Sequence, residues 1–144
     1  MRSTPIVMDS YYTSHTSFVI NFEFKNNLTI LIGDSGTGKT VSYSLLLESE
    51  AEDDRIVCLN YRDIKKDITG LLKSYDGKLI VIDNADILLD QVSRRYIAFD
   101  TRNQYLIIGR DVRDFLATED NLYELQTVTQ NERTEFSLKR YLEP

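Results

Sequence analysis

An eight-residue segment from Gly33 to Thr40 carries the residue types that bind phosphate groups. It reads GDSGTGKT, which matches the spacing G-x-x-x-x-G-K-[ST]. Its glycines let the backbone curl so that successive amides point at phosphate oxygens, Lys39 adds a positive charge, and the Thr40 hydroxyl can bind Mg²⁺. A short apolar run precedes the segment and a helical pattern follows it. We therefore predict a site for the phosphates of a nucleotide at Gly33, Asp34, Ser35, Gly36, Thr37, Gly38, Lys39 and Thr40.

Three further charged residues stand where they could act on bound phosphates. Asp83 ends the most apolar run of the chain, residues 79–82, and could bind Mg²⁺ or cap the following helix. Asp86 lies one helical turn further on, where it could act as a base or could be a first-turn acid favoured by the helix dipole. Arg110 follows the apolar run 105–108 and could stabilise developing negative charge, or it could form surface ion pairs.

The hydrophobic pattern predicts strands that alternate with helices. The predicted strands cover residues 18–24, 28–32, 56–59, 79–82 and 105–108, and the predicted helices cover residues 41–49, 63–74, 85–99 and 111–116. Arg94 and Arg95 are expected on the polar face of the third of these helices. The residues before the first strand are predicted to form a loop.

Two antiparallel hairpins are predicted, one near each end of the chain. Asn26-Asn27 offers a tight turn between the first two strands, and the polar residues 129–133 separate two β-rich segments, 122–128 and 135–142. Continuously apolar strands alternating with helices indicate a mainly parallel sheet that is covered on both faces. The expected fold class is therefore α/β, in three layers, with a mainly parallel sheet, a hairpin at each end and no lid domain.

The segment Gly33–Thr40 resembles the Walker A loop of the P-loop NTPases, and Asp83 after its apolar strand resembles their Walker B aspartate. A strand between the two motifs and another after the second are similar to the additional-strand class of this superfamily. The resemblance implies ATP and Mg²⁺ as ligands, with Lys39 on the β and γ phosphates and with Thr40 and Asp83 on the metal. It also implies that Arg110 occupies a sensor position, with Arg113 as a second cation.

The residues after Asp83 depart from the pattern of many additional-strand ATPases. Asn84 stands where those enzymes carry a glutamate that polarises the attacking water, and an amide cannot accept a proton. Either Asp86 does this work, or hydrolysis is slow and the chain mainly binds nucleotide. The sequence of residues 83–86, DNAD, is similar to variants found among AAA-type and STAND-type ATPases.

Several related classes lack support in the sequence. The six glycines include no adjacent pair, so the Ser-Gly-Gly signature of ABC-type and SMC-type heads is missing, and the Asn-Lys-x-Asp segment of Ras-type GTPases is missing too. Adenine is favoured by elimination. A small-molecule kinase remains an alternative, with Arg110 and Arg113 or Arg94 and Arg95 as a small lid, and so does an adaptor that binds nucleotide without appreciable hydrolysis.

Length and composition indicate one domain over residues 1–144, and the resemblance implies that this domain binds nucleotide. The net charge of −6 disfavours direct binding to nucleic acid. One cysteine and the lack of an apolar run of about 20 residues predict a cytoplasmic protein that does not enter a membrane. We expect Mg²⁺-dependent ATP binding with slow or partner-stimulated hydrolysis, a protein partner that supplies the effector function, and Lys39, Asp83, Asp86 and Arg110 as catalytic residues.

Overall fold

The apolar runs of the sequence form the strands of one sheet. The computed structural model describes residues 4–33 and 38–141, and the statements below refer to those residues. The strands are β1 (Ser10–His15), β2 (Phe18–Glu23), β3 (Leu28–Leu31), β4 (Ile56–Leu59), β5 (Leu79–Ile82), β6 (Gln104–Ile108), β7 (Leu122–Gln130) and β8 (Arg133–Arg140). The α-helices are α1 (Lys39–Ser49), α2 (Ile68–Ser74), α3 (Ala85–Leu88) and α4 (Gln91–Phe99).

The strands lie in the order β1-β2-β8-β7-β3-β6-β5-β4 and form a mixed sheet shaped as a half-barrel. Strands β7, β3, β6, β5 and β4 are parallel neighbours, whereas β1–β2 and β7–β8 are antiparallel pairs. The β2 and β8 strands pair in parallel and join the two hairpins to one another. The predicted three-layer fold with a mainly parallel sheet is therefore wrong. Both hairpins belong to the sheet, and their four strands add antiparallel pairs to it.

The N-terminal hairpin lies earlier in the chain than predicted. It consists of β1 and β2, so part of the predicted N-terminal loop is a strand. The strands on either side of Asn26-Asn27 do not pair with each other, because β3 lies between β6 and β7. The buried Asn27 side chain donates to the Asn103 carbonyl at 2.8 Å and accepts from the Ile6 amide at 3.2 Å. These bonds hold the start of β3 beside β6.

The C-terminal hairpin is present, and its turn is shorter than the predicted one. Only Asn131 and Glu132 connect β7 to β8, and both have positive φ angles, 52° and 63°. Two consecutive residues with positive φ give a turn whose twist matches that of the flanking strands. The hairpin therefore continues its pairing up to Gln130 and Arg133.

Capping residues shorten or divide the predicted helices. In place of the helix predicted at 63–74, α2 starts after Asp67, whose carboxylate accepts from the Gly70 amide at 3.1 Å. The helix predicted at 85–99 is divided into α3 and α4, since Asp90 accepts from the Ser93 amide at 2.8 Å and begins a new helix. In place of the helix predicted at 111–116, residues 113–116 form a turn, with positive φ at Asp114 and Leu116.

Two apolar clusters lie on opposite faces of the sheet, because alternate side chains of β5 belong to different clusters. One cluster holds α1 against the strands, and the curved strands β2 and β8 contribute Phe22 and Phe136 to it. The other cluster joins α2, α3 and α4 to β3, β5 and β6. The curvature of the antiparallel strands thus encloses α1, the helix that follows the candidate phosphate loop.

Within residues 4–33 and 38–141, no helix combines the length and the apolar character that crossing a bilayer requires.

Candidate functional site

The candidate phosphate loop ends at Gly38, which has a φ of 98° and is the N-cap residue of α1. A Cβ atom at this position would lie 2.5 Å from Cε1 of Phe136 and 3.3 Å from Cδ2 of Leu125. Both side chains belong to the β7–β8 hairpin. Gly38 is therefore required for its left-handed backbone and also for the close approach of the hairpin, which flanks the start of α1.

Lys39 connects the two ends of the loop. Its ammonium group donates to the Gly33 carbonyl at 2.6 Å, and Gly33 follows the end of β3. Thr40 lies in the first turn of α1 and is exposed. The predicted phosphate-binding residues Asp34, Ser35, Gly36 and Thr37 lie outside the described residues.

Asp83 follows the last residue of β5 and is half-buried. Its amide donates to the Leu59 carbonyl at 2.9 Å, which fixes the backbone at the end of the strand. Burial raises the pKa of the Asp83 carboxyl, although the amide of Asn84 and the charge of Lys39 act in the opposite direction. Asp83 and Lys39 line the same cleft.

Asn84 has a φ of 52° and is the N-cap residue of α3, without a capping hydrogen bond from its side chain. This backbone conformation is uncommon for a residue other than glycine, and asparagine adopts it more readily than most. The left-handed residue turns the chain sharply out of β5 into α3. It therefore places the first turn of α3 directly beside the end of the neighbouring strand β6.

Asp86 makes contacts that its position in the sequence did not reveal. Its carboxylate accepts from the amide of Arg110 at 3.0 Å and from the amide of Asp111 at 2.9 Å. A Cβ atom at Gly109 would lie 2.7 Å from Oδ1 of Asp86, so glycine leaves room for the carboxylate in this position. Asp86 thus holds the segment that follows β6 against α3, and its role in activating water stays a prediction.

An open cleft of about 750 Å³ lies at the carboxyl ends of β3, β5 and β6. The four predicted catalytic residues line it together: Lys39, Asp83, Asp86 and Arg110. Gly38, Thr40, Asn84 and Gly109 also contribute to the lining. Arg113 does not line the cleft, and its guanidinium instead pairs with the Asp111 carboxylate at 2.8 Å.

Arg94 is a structural residue that the sequence analysis misassigned to a polar helix face. Its neighbour Arg95 is exposed, whereas Arg94 is only 4% exposed. Its guanidinium lies 5.0 Å from the centroid of the Phe115 ring. It also donates to four backbone carbonyls, those of Ala85, Leu89, Asp111 and Arg113. Arg94 therefore connects α4 to the end of β6 from behind the cleft, and nothing in the helical pattern could have distinguished it from Arg95.

The oxygen ligands in the cleft suit Mg²⁺ that arrives with a nucleotide. Across the described residues, no three His, Cys, Asp or Glu side chains gather in a metal-binding group. Thr40 and Asp83 offer one hydroxyl and one carboxylate on the same cleft. Since Mg²⁺ usually keeps several waters and is bound through one or two carboxylates and the phosphates of a substrate, these two side chains fit such an ion.

No protein-family model, curated protein or solved structure matches this chain. The resemblance to P-loop NTPases therefore stays an inference from the segment 33–40 and from Asp83.

Proposed function

We propose that this chain binds a nucleoside triphosphate together with Mg²⁺, with ATP as the expected nucleotide, and hydrolyses it slowly or under stimulation by a protein partner. One observation carries the proposal. Asp83 is distant in the sequence from Lys39 and Thr40, yet all three line one open cleft at the end of the phosphate-loop segment.

Each of these residues has a role that follows from its chemistry. Lys39 now donates to the Gly33 carbonyl, and the same ammonium group would donate to phosphate oxygens that lie over the loop. Thr40 and Asp83 would hold Mg²⁺, which supplies positive charge that screens the phosphates. Arg110 would place a further cation at the far side of the cleft.

Slow hydrolysis follows from the surroundings of the two candidate water-activating positions. Asn84 cannot accept a proton, and the Asp86 carboxylate already accepts hydrogen bonds from two backbone amides. A base engaged in this way would have to give up those bonds in order to act. The same observation favours the second candidate function, a nucleotide-binding adaptor that changes its partner's behaviour without appreciable hydrolysis. We propose that either activity takes place in the cytoplasm, as the single cysteine suggests, and that it acts through a protein partner. The net charge of −6 argues against direct contact with nucleic acid.

Thermal melting in the presence of nucleotide tests binding. MgATP at one hundred times its Kd should stabilise the fold by about 2.7 kcal/mol, which is roughly 8 °C for a chain of this length. Lys39→Ala should remove this shift, whereas Lys65→Ala, which changes an exposed lysine elsewhere, should retain it. A chain that melts at the same temperature with and without millimolar MgATP and MgGTP would refute the proposal.

Phosphate release from ATP then separates the two candidate functions. Turnover that exceeds the background and disappears in Lys39→Ala supports the enzyme. Binding without turnover supports the adaptor.

A further inference from the structure

A second surface of the molecule is apolar and exposed. Val92 and Phe99 of α4 are 62% and 69% exposed, and Tyr96 lies between them. Tyr96 lies four residues after Val92 and three residues before Phe99, so the three side chains form one stripe along the helix. The stripe borders a groove of about 510 Å³ between α2 and α4, which we name the α2–α4 groove. Its lining shares no residue with the nucleotide cleft.

Arg102 connects the two helices on either side of the groove. Arg102 donates from one guanidinium nitrogen to the Lys73 carbonyl at 3.0 Å and to the Tyr96 hydroxyl at 2.7 Å. Lys73 lies in the last turn of α2, so these bonds connect the end of α2 to α4. Arg102 therefore links the two helices that border the groove.

Positive charge surrounds the apolar stripe. Lys73, Arg95 and Arg102 all line the groove. The Asp100 carboxylate also belongs to the lining and lies 3.9 Å from the Arg102 guanidinium, but its side chain is only 2% exposed and accepts from the Tyr105 hydroxyl at 2.6 Å. Arg95 lies 3.6 Å from Asp114, which is outside the lining. The lining itself therefore holds three cations and one buried carboxylate. The chain as a whole carries a net charge of −6, so this surface is a basic region on an acidic protein.

We propose that the α2–α4 groove binds an acidic amphipathic helix of a partner protein. Exposed apolar side chains supply anchors, and the surrounding cations select a partner that carries Asp and Glu beside its own apolar residues. A strand is disfavoured as the ligand, because the two helices that form the groove present no unpaired backbone edge. The nine residues of α4 extend over about 14 Å, which suits two to three turns of a helix.

Neither of the two longest helices in the described part of the chain, α1 and α4, would supply such a helix from a second copy. The exposed positions of α1 are Thr40, Ser44, Leu47 and Glu48, of which only Leu47 is apolar. The exposed face of α4 is itself flanked by cations and would meet like charge. A partner of different sequence therefore fits the groove better than self-association.

A synthetic helical peptide tests the proposal. The probe is a 16-residue peptide with leucines at positions i, i+4 and i+7 and glutamates beside them, followed by fluorescence anisotropy with the full chain. We expect a Kd on the order of 10 to 100 µM. Phe99→Asp and Arg95→Glu should each raise this Kd at least tenfold. Val128→Asp, which changes a 45% exposed apolar residue of β7, should leave it unchanged.

Charge reversal makes the test specific. A peptide with lysines in place of the glutamates should not bind the unchanged protein, and it should bind the double variant Lys73→Glu/Arg95→Glu. The proposal is overturned if both peptides bind the unchanged protein equally, or if Phe99→Asp leaves the Kd unchanged. It is also overturned if an RNA oligonucleotide displaces the peptide at comparable concentration, or if the chain forms a dimer that Phe99→Asp dissociates. Circular dichroism and the melting temperature show that each variant is folded. The inference does not depend on nucleotide binding, since peptide binding is measured without nucleotide.

Discussion

Asp83, which we propose as a ligand of Mg²⁺, carries a charge that is costly to bury in the fold. Burial raises the pKa of its carboxyl, so the folded state holds this proton more tightly than the unfolded state. Stability therefore falls as pH rises from the ordinary aspartate range through the raised pKa. Asp83→Asn removes the buried charge and should raise the melting temperature at pH 7 by roughly 2 °C. It should also abolish the Mg²⁺ dependence of ATP binding, measured by calorimetry.

The matched control for this prediction is Asp76→Asn, which changes an exposed aspartate in a turn. Its melting temperature and ATP binding should equal those of the unchanged chain. Melting scans from pH 4 to pH 8 should show a smaller decline for Asp83→Asn than for the unchanged chain. A lower melting temperature for Asp83→Asn at pH 7 contradicts the prediction.

Gly38 tests the contact between the phosphate loop and the β7–β8 hairpin. Gly38→Ala combines a left-handed backbone that alanine disfavours with a Cβ atom 2.5 Å from the Phe136 ring. Strain and overpacking together should destabilise the fold by about 3 kcal/mol, measured by urea unfolding. Gly77→Ala is the control, because Gly77 also has a positive φ but no atom lies within 4 Å of its added Cβ. It should cost about 1 kcal/mol, and equal losses in the two variants would show that the Phe136 contact is unimportant.

At the scale of single residues, sequence reasoning named four charged residues that line the cleft and missed their contacts. The spacing of residues 33–40 and the apolar run before Asp83 are local patterns, so they could be read directly. The bonds from Asp86 to the amides of Arg110 and Asp111 join residues 24 and 25 positions apart. Only the pairing of β5 with β6 brings these groups together, and no local pattern contains that information.

Among the elements, the segment after β6 depends on Arg94 of α4. Arg94→Met should destabilise the fold by about 3 kcal/mol, or roughly 10 °C, because four carbonyls lose a charged donor in a buried site. Hydrogen exchange of residues 109–116 should become faster. Arg95→Met removes the exposed neighbour, whose guanidinium is 3.6 Å from Asp114, and should change stability by less than about 0.5 kcal/mol. Equal effects of the two substitutions would refute the assignment of Arg94 as the buried connection.

The helices show why periodicity alone gave incorrect boundaries. The apolar spacing of residues 85–99 continues through Asp90, so the pattern predicts one helix. The Asp90 carboxylate instead accepts from the Ser93 amide and hydroxyl, at 2.8 and 2.9 Å, and begins a new helix. Aspartate competes for backbone amides in this way wherever tertiary packing favours a break.

At the scale of the whole molecule, the parallel neighbours β3, β6, β5 and β4 could be predicted in kind, because their residues are continuously apolar. The incorporation of both hairpins into the same sheet could not be predicted from the sequence. It depends on the pairing of β2 with β8, which are separated by most of the chain. Strands with mixed burial give no signal of which distant strand they will contact.

Long-range pairing should make folding slow. The central strand β3 contacts β6 and β7, and β2 contacts β8, so most of the sheet forms between distant segments. We expect refolding after dilution from urea, followed by tyrosine fluorescence, to take from about ten milliseconds to seconds. Ile20→Ala, in the fully buried part of β2, should destabilise the fold by about 3 kcal/mol in the same experiment. Complete refolding in less than a millisecond would contradict this expectation.

The position of β8 between β2 and β7 also affects how the chain matures on the ribosome. The β2 strand emerges about 110 residues before its partner β8, which corresponds to roughly 5 to 20 seconds of translation. During that interval Ile20 and Phe22 have no completed core to enter, and one edge of β2 is open to other nascent chains. Protection by a chaperone would therefore matter most before residues 134–136, which pair with β2, have left the exit tunnel.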